Sequence, residues 1–283
     1  MTQLGPGEIA ARRRPFVVLG VAVLRLIAGF CLAFPLASLV AASGVGQRAE
    51  GDRVLFEGGG YLLLEVLRLQ GPELMAATRG LIPALGVGLL LTALCNAALL
   101  VALNARGKLE LRSWLGRAFE RLPGVVVLGV GTTLGQGLLF GIGMLLSAAV
   151  PDSMSNPMGS SLLELGAWLV VALGAGALGG VADVAKACFV RSQVSLGAAL
   201  NQAFSCVSRR PLLASFGWLP YAALLGLGVA AAAWLSGVVD VARPGALRVV
   251  AVFAAHQLVI LLSVALRAAW FARASRLAAV AGS

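Results

Sequence analysis

Two stretches decide the fold: RGKLELRSWLGRAF, from Arg106 to Phe119, and RSQVSLGAALNQAF, from Arg191 to Phe204, set 85 residues apart. At that offset Arg106 falls on Arg191, Leu111 on Leu196, Leu115 on Leu200, and Ala118-Phe119 on Ala203-Phe204. Each stretch follows an apolar run of membrane-crossing length and precedes another. The recurrence implies an all-α membrane bundle assembled from repeated helix pairs.

Composition points the same way. Of the 283 residues 59% are hydrophobic and only 12% charged, and the mean hydropathy is +0.94. A soluble domain has no way to cover that much apolar surface. A span needs about 20 apolar residues to cross about 30 Å of hydrocarbon, and six runs qualify: 16–43, 81–104, 124–150, 161–188, 212–237 and 246–271. The whole chain, 1–283, then reads as one polytopic integral membrane domain with six transmembrane helices. The first run follows Arg12-Arg13-Arg14 and ends in small residues, as a signal peptide does. Its apolar core is longer than the 7–15 residues of such a segment, roughly, so a retained anchor is expected.

The formal charge of +10 is unevenly spread. With the N-terminus inside, fifteen Lys and Arg fall on inner segments and six on outer ones, namely Arg48, Arg53, Arg68, Arg79, Arg243 and Arg248. The positive-inside rule therefore predicts both termini in the cytoplasm, as for a protein of the inner (plasma) membrane. Basic residues clustered at span ends, with only 2 Tyr in the chain, exclude the aromatic-studded basic stripe of a nucleic-acid binder.

Once oriented, the repeat has a physical meaning. Segment 109–122 lines up Leu111, Trp114, Leu115, Ala118, Phe119 and Leu122 on one face, and 194–207 does so with Leu196, Ala199, Leu200, Ala203, Phe204 and Val207. Both are expected to be short amphipathic helices on the cytoplasmic side. The polar face of the first carries Arg112, Arg117, Glu120 and Arg121, that of the second Asn201, Gln202, Ser205 and Ser208. Arg112, Arg117 and Arg121 are thus the expected docking surface for anionic lipid or a protein partner. Arg13-Arg14-Pro15, Leu122-Pro123 and Arg209-Arg210-Pro211 open spans one, three and five alike, proline suiting a helix start. Spans 1–2, 3–4 and 5–6 read as three related hairpins. The outer loop 44–80 contains the glycine triplet 58–60 before Tyr61–Leu69, which lacks the lysine and serine of a phosphate loop. A turn into a surface helix is expected there.

Polar groups within the spans are the functional candidates, because charge in hydrocarbon costs several kcal/mol. Measured from the cytoplasmic boundary at about 1.5 Å per residue, Arg25, Asn96, Thr132, Thr133 and Asp183 lie at similar depth, with Lys186 one turn from Asp183. They are expected to form a polar cluster with Arg25 and Asp183 as its charged core. An ion pair that merely locks span one to span four is the bland alternative. His256, Gln257 and Gln136 lie deeper, as a proton or hydrogen-bond site. Gly131-x3-Gly135, Gly137-x3-Gly141 and Gly176-x3-Gly180 favour close contact of spans three and four. The lone histidine excludes a multi-histidine metal site, the four scattered cysteines suggest buried thiols, and no cofactor is expected. Enzyme chemistry has little to stand on.

Through Ala118-Phe119, Ala203-Phe204 and Arg209-Arg210-Pro211 the chain resembles a loose group of bacterial six-span proteins that includes the membrane domain fused to some glycerophosphodiester phosphodiesterases. The resemblance implies a fold and no mechanism, since the catalytic residues of that enzyme have no counterpart here. The expected role is a non-enzymatic bundle that binds or transports a hydrophobic or amphipathic small molecule or lipid. The alternative is a structural or assembly subunit docking a partner, such as an ATPase, through its cytoplasmic helices.

Overall fold

The computed structural model describes residues 9, 11, 14–42, 71–105, 107, 110–148, 157–238 and 246–281. Every element among them is helical: α1 (Pro15–Ala42), α2 (Gly71–Asn104), α3 (Leu111–Ala148), α4 (Pro157–Ser192), α5 (Leu196–Arg209), α6 (Pro211–Phe216), α7 (Leu219–Val238) and α8 (Ala246–Ala281). Helix is what such apolar sequence must adopt in lipid, where each backbone N–H and C=O needs a partner within its own segment. Five segments are long and apolar enough to cross a membrane: Gly86–Asn104, Leu111–Ala148, Leu162–Ser192, Pro211–Ser236 and Val250–Val280. They make the chain an integral membrane protein. The first expected span is helical as α1, 28 residues from Pro15 to Ala42.

Several boundaries differ from the sequence reading. The amphipathic segment 109–122 is no separate helix, because from Leu111 it runs unbroken through Pro123 into the span as α3. Span five is interrupted, α6 ending at Phe216 and α7 starting at Leu219. The end of the loop 44–80 is already helical from Gly71, while residues 44–70, the glycine triplet and Tyr61–Leu69 among them, lie outside the described residues. The last helix continues ten residues past 271, to Ala281.

The chain divides into two compact units, Met1–Val18 with Asn96–Leu224 and Ala265–Ser283, and Leu19–Cys95 with Leu225–Val264. In the second unit Val21 and Ala22 are buried, and Leu262 of α8 lies against Gly228 of α7, where a Cβ would come within 2.8 Å of it.

In the first unit α4 is the hub, touching α3, α5 and α6. Its contacts with α3 run in opposite directions: Phe189 lies on Gly124, Leu178 on Gly135 and Val171 on Gly143. These glycines admit side chains of α4 that a methyl group would push away. Gly131, Gly137 and Gly141 of the same helix face open space instead. Outward, α3 presents Val130, Leu134, Leu138, Ile142 and Leu145, a surface suited to hydrocarbon rather than water.

The repeated Ala-Phe pair acquires a structural role in this unit. Ala118 and Ala203 are both fully buried, whereas Phe119 and Phe204 remain 55% and 60% exposed. In each copy the small residue seats the helix and the aromatic ring projects from it, as interfacial aromatics do at a membrane surface.

Candidate functional site

Asp183 organises the interior of the first unit. It opens the stretch of α4, Asp183 to Val190, that is buried on every side. Its Oδ1 accepts from Lys186 Nζ at 3.1 Å and from an Arg267 guanidinium nitrogen at 2.8 Å. Oδ2 accepts from Trp270 Nε1 at 2.9 Å and meets the other Arg267 nitrogen at 2.7 Å. Arg267 and Trp270 lie three residues apart on α8, so one face of that helix supplies a guanidinium fork and an indole N–H together. The Arg267 guanidinium also rests over the Phe271 ring, 4.3 Å from its centroid, which shields its charge on the second side. Every lone pair of the carboxylate is thus engaged. The group holds α4 to α8 and leaves no basic oxygen free for proton abstraction.

Directly beside it the chain breaks. Arg210 lies at φ −143°, ψ 65°, outside the helical region, as expected for a residue forced from α geometry by the following Pro211. α6 then makes one and a half turns before Gly217 and Trp218 end it. The Trp218 indole N–H donates back to Ser215 O at 2.7 Å, and its ring lies on Gly176. A Cβ on Gly180 would come within 2.7 Å of Ser215 O and 2.9 Å of Ala214 O. The Gly176-x3-Gly180 face therefore receives the break between α6 and α7, whereas spans three and four meet through Gly124, Gly135 and Gly143.

The break turns Arg210 toward the end of α8. Arg210, Leu213, Tyr221, Arg273, Arg276, Leu277 and Val280 surround a cavity of about 380 Å³. Residues 273, 276, 277 and 280 share one helical face, so α8 supplies two guanidinium groups and an apolar wall from one side. Tyr221 closes the inner end, its ring 6.3 Å from that of Trp270. The residue that holds Asp183 thus also backs the cavity.

The other sequence candidates make contacts of their own. Thr132 and Thr133 bond to carbonyls one turn back on α3, which satisfies them locally. Gln136 donates to Ala175 O of α4 at 2.9 Å and ties the two spans. Asn96 is buried with its side-chain oxygen unbonded among the described residues. Arg25 and Cys95 belong to the second unit, and the carboxylate expected to pair with Arg25 has its charge balanced by Arg267 and Lys186. His256 is exposed and bonds to Val252 O of its own turn, and Gln257 is half-buried beside it. On the expected docking surface Arg112 is exposed, but Arg121 is stacked over Phe189 at 5.5 Å and Arg117 is engaged by a neighbour.

A second polar chain ties the helix ends. Asn104 donates to Ser275 Oγ at 3.1 Å and accepts from Arg191 at 3.3 Å, while Arg14 donates to Ala105 O at 2.7 Å. The buried Cys206 lies beside Cys188, whose hydrogen bond draws the Cys206 thiol down to about 7. Among the described residues no group of three metal-ligating side chains occurs.

Sequence reasoning missed Arg267, Trp270 and the arginine cavity. The signal for the first two was present, an Arg and a Trp one turn apart inside the apolar run 246–271. The cavity left no such signal, because its arginines are 63 or more residues apart between α6 and α8. Compared with protein-family models, curated proteins and solved structures, the chain has no match.

Proposed function

We propose that this chain is a non-enzymatic six-span protein of the bacterial inner membrane, its termini cytoplasmic, that binds or moves an amphipathic small molecule, membrane lipid included. The observation that carries this reading is the lining of the cavity of about 380 Å³, where Leu213, Leu277 and Val280 face Arg210, Arg273 and Arg276. Apolar and cationic walls in one recess match a ligand with an apolar part and a polar, anionic part. α8 supports the placement: its apolar segment Val250–Val280 has 31 residues, about 45 Å at 1.5 Å per residue against about 30 Å of hydrocarbon. Its last turns, with Arg273 and Arg276, then stand at headgroup level. Three hairpins related by the repeat, as in the resembling six-span group, remain part of the proposal.

Lipidomic analysis of the full chain purified in mild detergent tests it. One lipid or amphiphile class should be enriched several-fold over its share of the source membrane. Retained lipid that mirrors the bulk membrane would overturn the reading. The assembly-subunit alternative draws on exposed Arg112 beside exposed Leu111, and it predicts instead a stoichiometric protein partner in the same preparation.

A further inference from the structure

We infer that the cavity between α6 and α8 is a binding site for a phosphate group carried by an anionic amphiphile. The inference rests on the amphiphile-binding reading above and specifies which chemistry the site recognises. Three arginines converge on the recess. Arg210, Arg273 and Arg276 take part in no side-chain hydrogen bond or ion pair among the described residues. Arg14, Arg191 and Arg267 of the same unit are satisfied by Ala105 O, Asn104 and Asp183, whereas Arg210 and Arg276 stand exposed and Arg273 half-buried around the recess.

Three guanidinium groups gathered around one recess give it a local positive field, and among the described residues the recess holds no carboxylate. The planar fork of arginine fits phosphate oxygens two at a time, and three forks exceed what a single carboxylate can accept. The Tyr221 hydroxyl makes no hydrogen bond among the described residues and borders the same space, a further donor for a phosphate oxygen. Leu213, Leu277 and Val280 then take the first carbons of the ligand's apolar part. Behind the site, Trp270 and the saturated Asp183 cluster fix Tyr221 and the α8 face in place. The cavity is therefore held open by the fold rather than assembled by the ligand.

Binding of short-chain phosphatidic acid to the full chain in maltoside micelles, read by native mass spectrometry and by thermal shift, tests the inference. The comparison probes are phosphatidylcholine of the same chain length and inorganic phosphate. Phosphatidic acid should bind at least tenfold more tightly than phosphatidylcholine, and R273Q/R276Q should remove that preference while R273K/R276K keeps part of it. Inorganic phosphate should compete for the site, more weakly by tenfold or more because it lacks the apolar part. Free phosphate that binds as tightly as the lipid, with the same loss in R273Q/R276Q, keeps phosphate recognition and assigns it to a soluble source. Equal binding of both lipids, unchanged in R273Q/R276Q, overturns the phosphate inference and leaves amphiphile binding standing. No retained amphiphile of any class overturns both. Circular dichroism and monodisperse gel filtration of each variant separate lost binding from lost folding, and R210Q supplies the same test from α6 without touching α8.

Discussion

The stretches Arg106–Phe119 and Arg191–Phe204 are alike in sequence, and the helices they lead into continue differently. In the first, the helix passes through Pro123 without interruption, and in the second it stops at Arg210 before Pro211. Four residues separate Phe119 from Pro123 and seven separate Phe204 from Pro211, so the proline falls almost a full turn later in the second copy. The neighbours differ as well. Phe189 lies against Gly124 and under Arg121, clamping α3 on both sides of Pro123 and holding a helix that proline alone would bend. In the second copy Trp218 and the bare backbone at Gly180 receive the break instead. Only the broken copy releases an arginine to join the end of α8. Two stretches alike in sequence thus lead to an arginine-lined recess on one side and an uninterrupted helix on the other.

The largest expected effect lies under the broken copy. Asp183→Asn leaves Arg267 and Lys186 without their counter-charge inside the span, and removing one partner of a buried ion pair costs about 3–5 kcal/mol. Unfolding by dodecyl sulfate in mixed micelles, followed by Trp fluorescence, should show that loss. A change below about 1 kcal/mol would mean that α4 and α8 are held by packing alone. The two glycine contacts come next. Gly180→Ala meets backbone carbonyls that have no other rotamer to adopt and should cost about 2–3 kcal/mol. Gly124→Ala meets the far end of the Phe189 ring and should cost about 1 kcal/mol. A reversed order would show that Pro123, not the break, is the more constrained place.

The prolines sharpen the comparison further. Pro123→Ala restores the hydrogen bond to Phe119 O that an interior proline lacks and should stabilise the protein by about 1–2 kcal/mol. Pro211→Ala, at the first position of α6, should destabilise by about 0.5–1 kcal/mol, because proline there already fits its geometry and restricts the unfolded chain. Changes of equal sign in the same unfolding assay would mean that both prolines sit in equivalent backbone, and the contrast between the copies would fall.

Helix type and most span positions were legible because apolar runs near 20 residues long have few other outcomes. The break at Gly217-Trp218 was not, since Phe216 to Leu219 reads as apolar sequence without interruption. It becomes a break through what lies opposite, the Gly176 and Gly180 face of α4. Depth in the span marks Asp183 as a buried charge but points to span one for its partner. Depth along a helix says nothing of which faces meet, and Arg267, near a span end, reads in sequence as a flanking charge. Arg112, Arg117 and Arg121 look like the anion-facing surface by count, yet Phe189 takes Arg121 out of it. Arg210 follows the neutral stretch while Arg273 and Arg276 come from α8, so only tertiary structure brings the three together.

The smallest effect concerns the turns that open the two copies. Gly107, between α2 and α3, has φ +77°, and Gln193, between α4 and α5, has φ +53°. Both positions require the left-handed region, which costs a residue with a Cβ about 1 kcal/mol and glycine nothing. Gly107→Ala should therefore lose about 1 kcal/mol. Gln193→Gly relieves that strain but loosens the unfolded chain, so the net gain should be a few tenths of a kcal/mol. Ser195 next to it caps α5 by accepting from the Ala198 N–H, and Ser195→Ala in the Gln193→Gly background should cost about 0.5–1 kcal/mol. If Gln193→Gly instead destabilises by more than Gly107→Ala, the Gln193 side chain contributes a contact that the turn alone does not explain, and the turns leading into the two copies differ in kind rather than in residue choice.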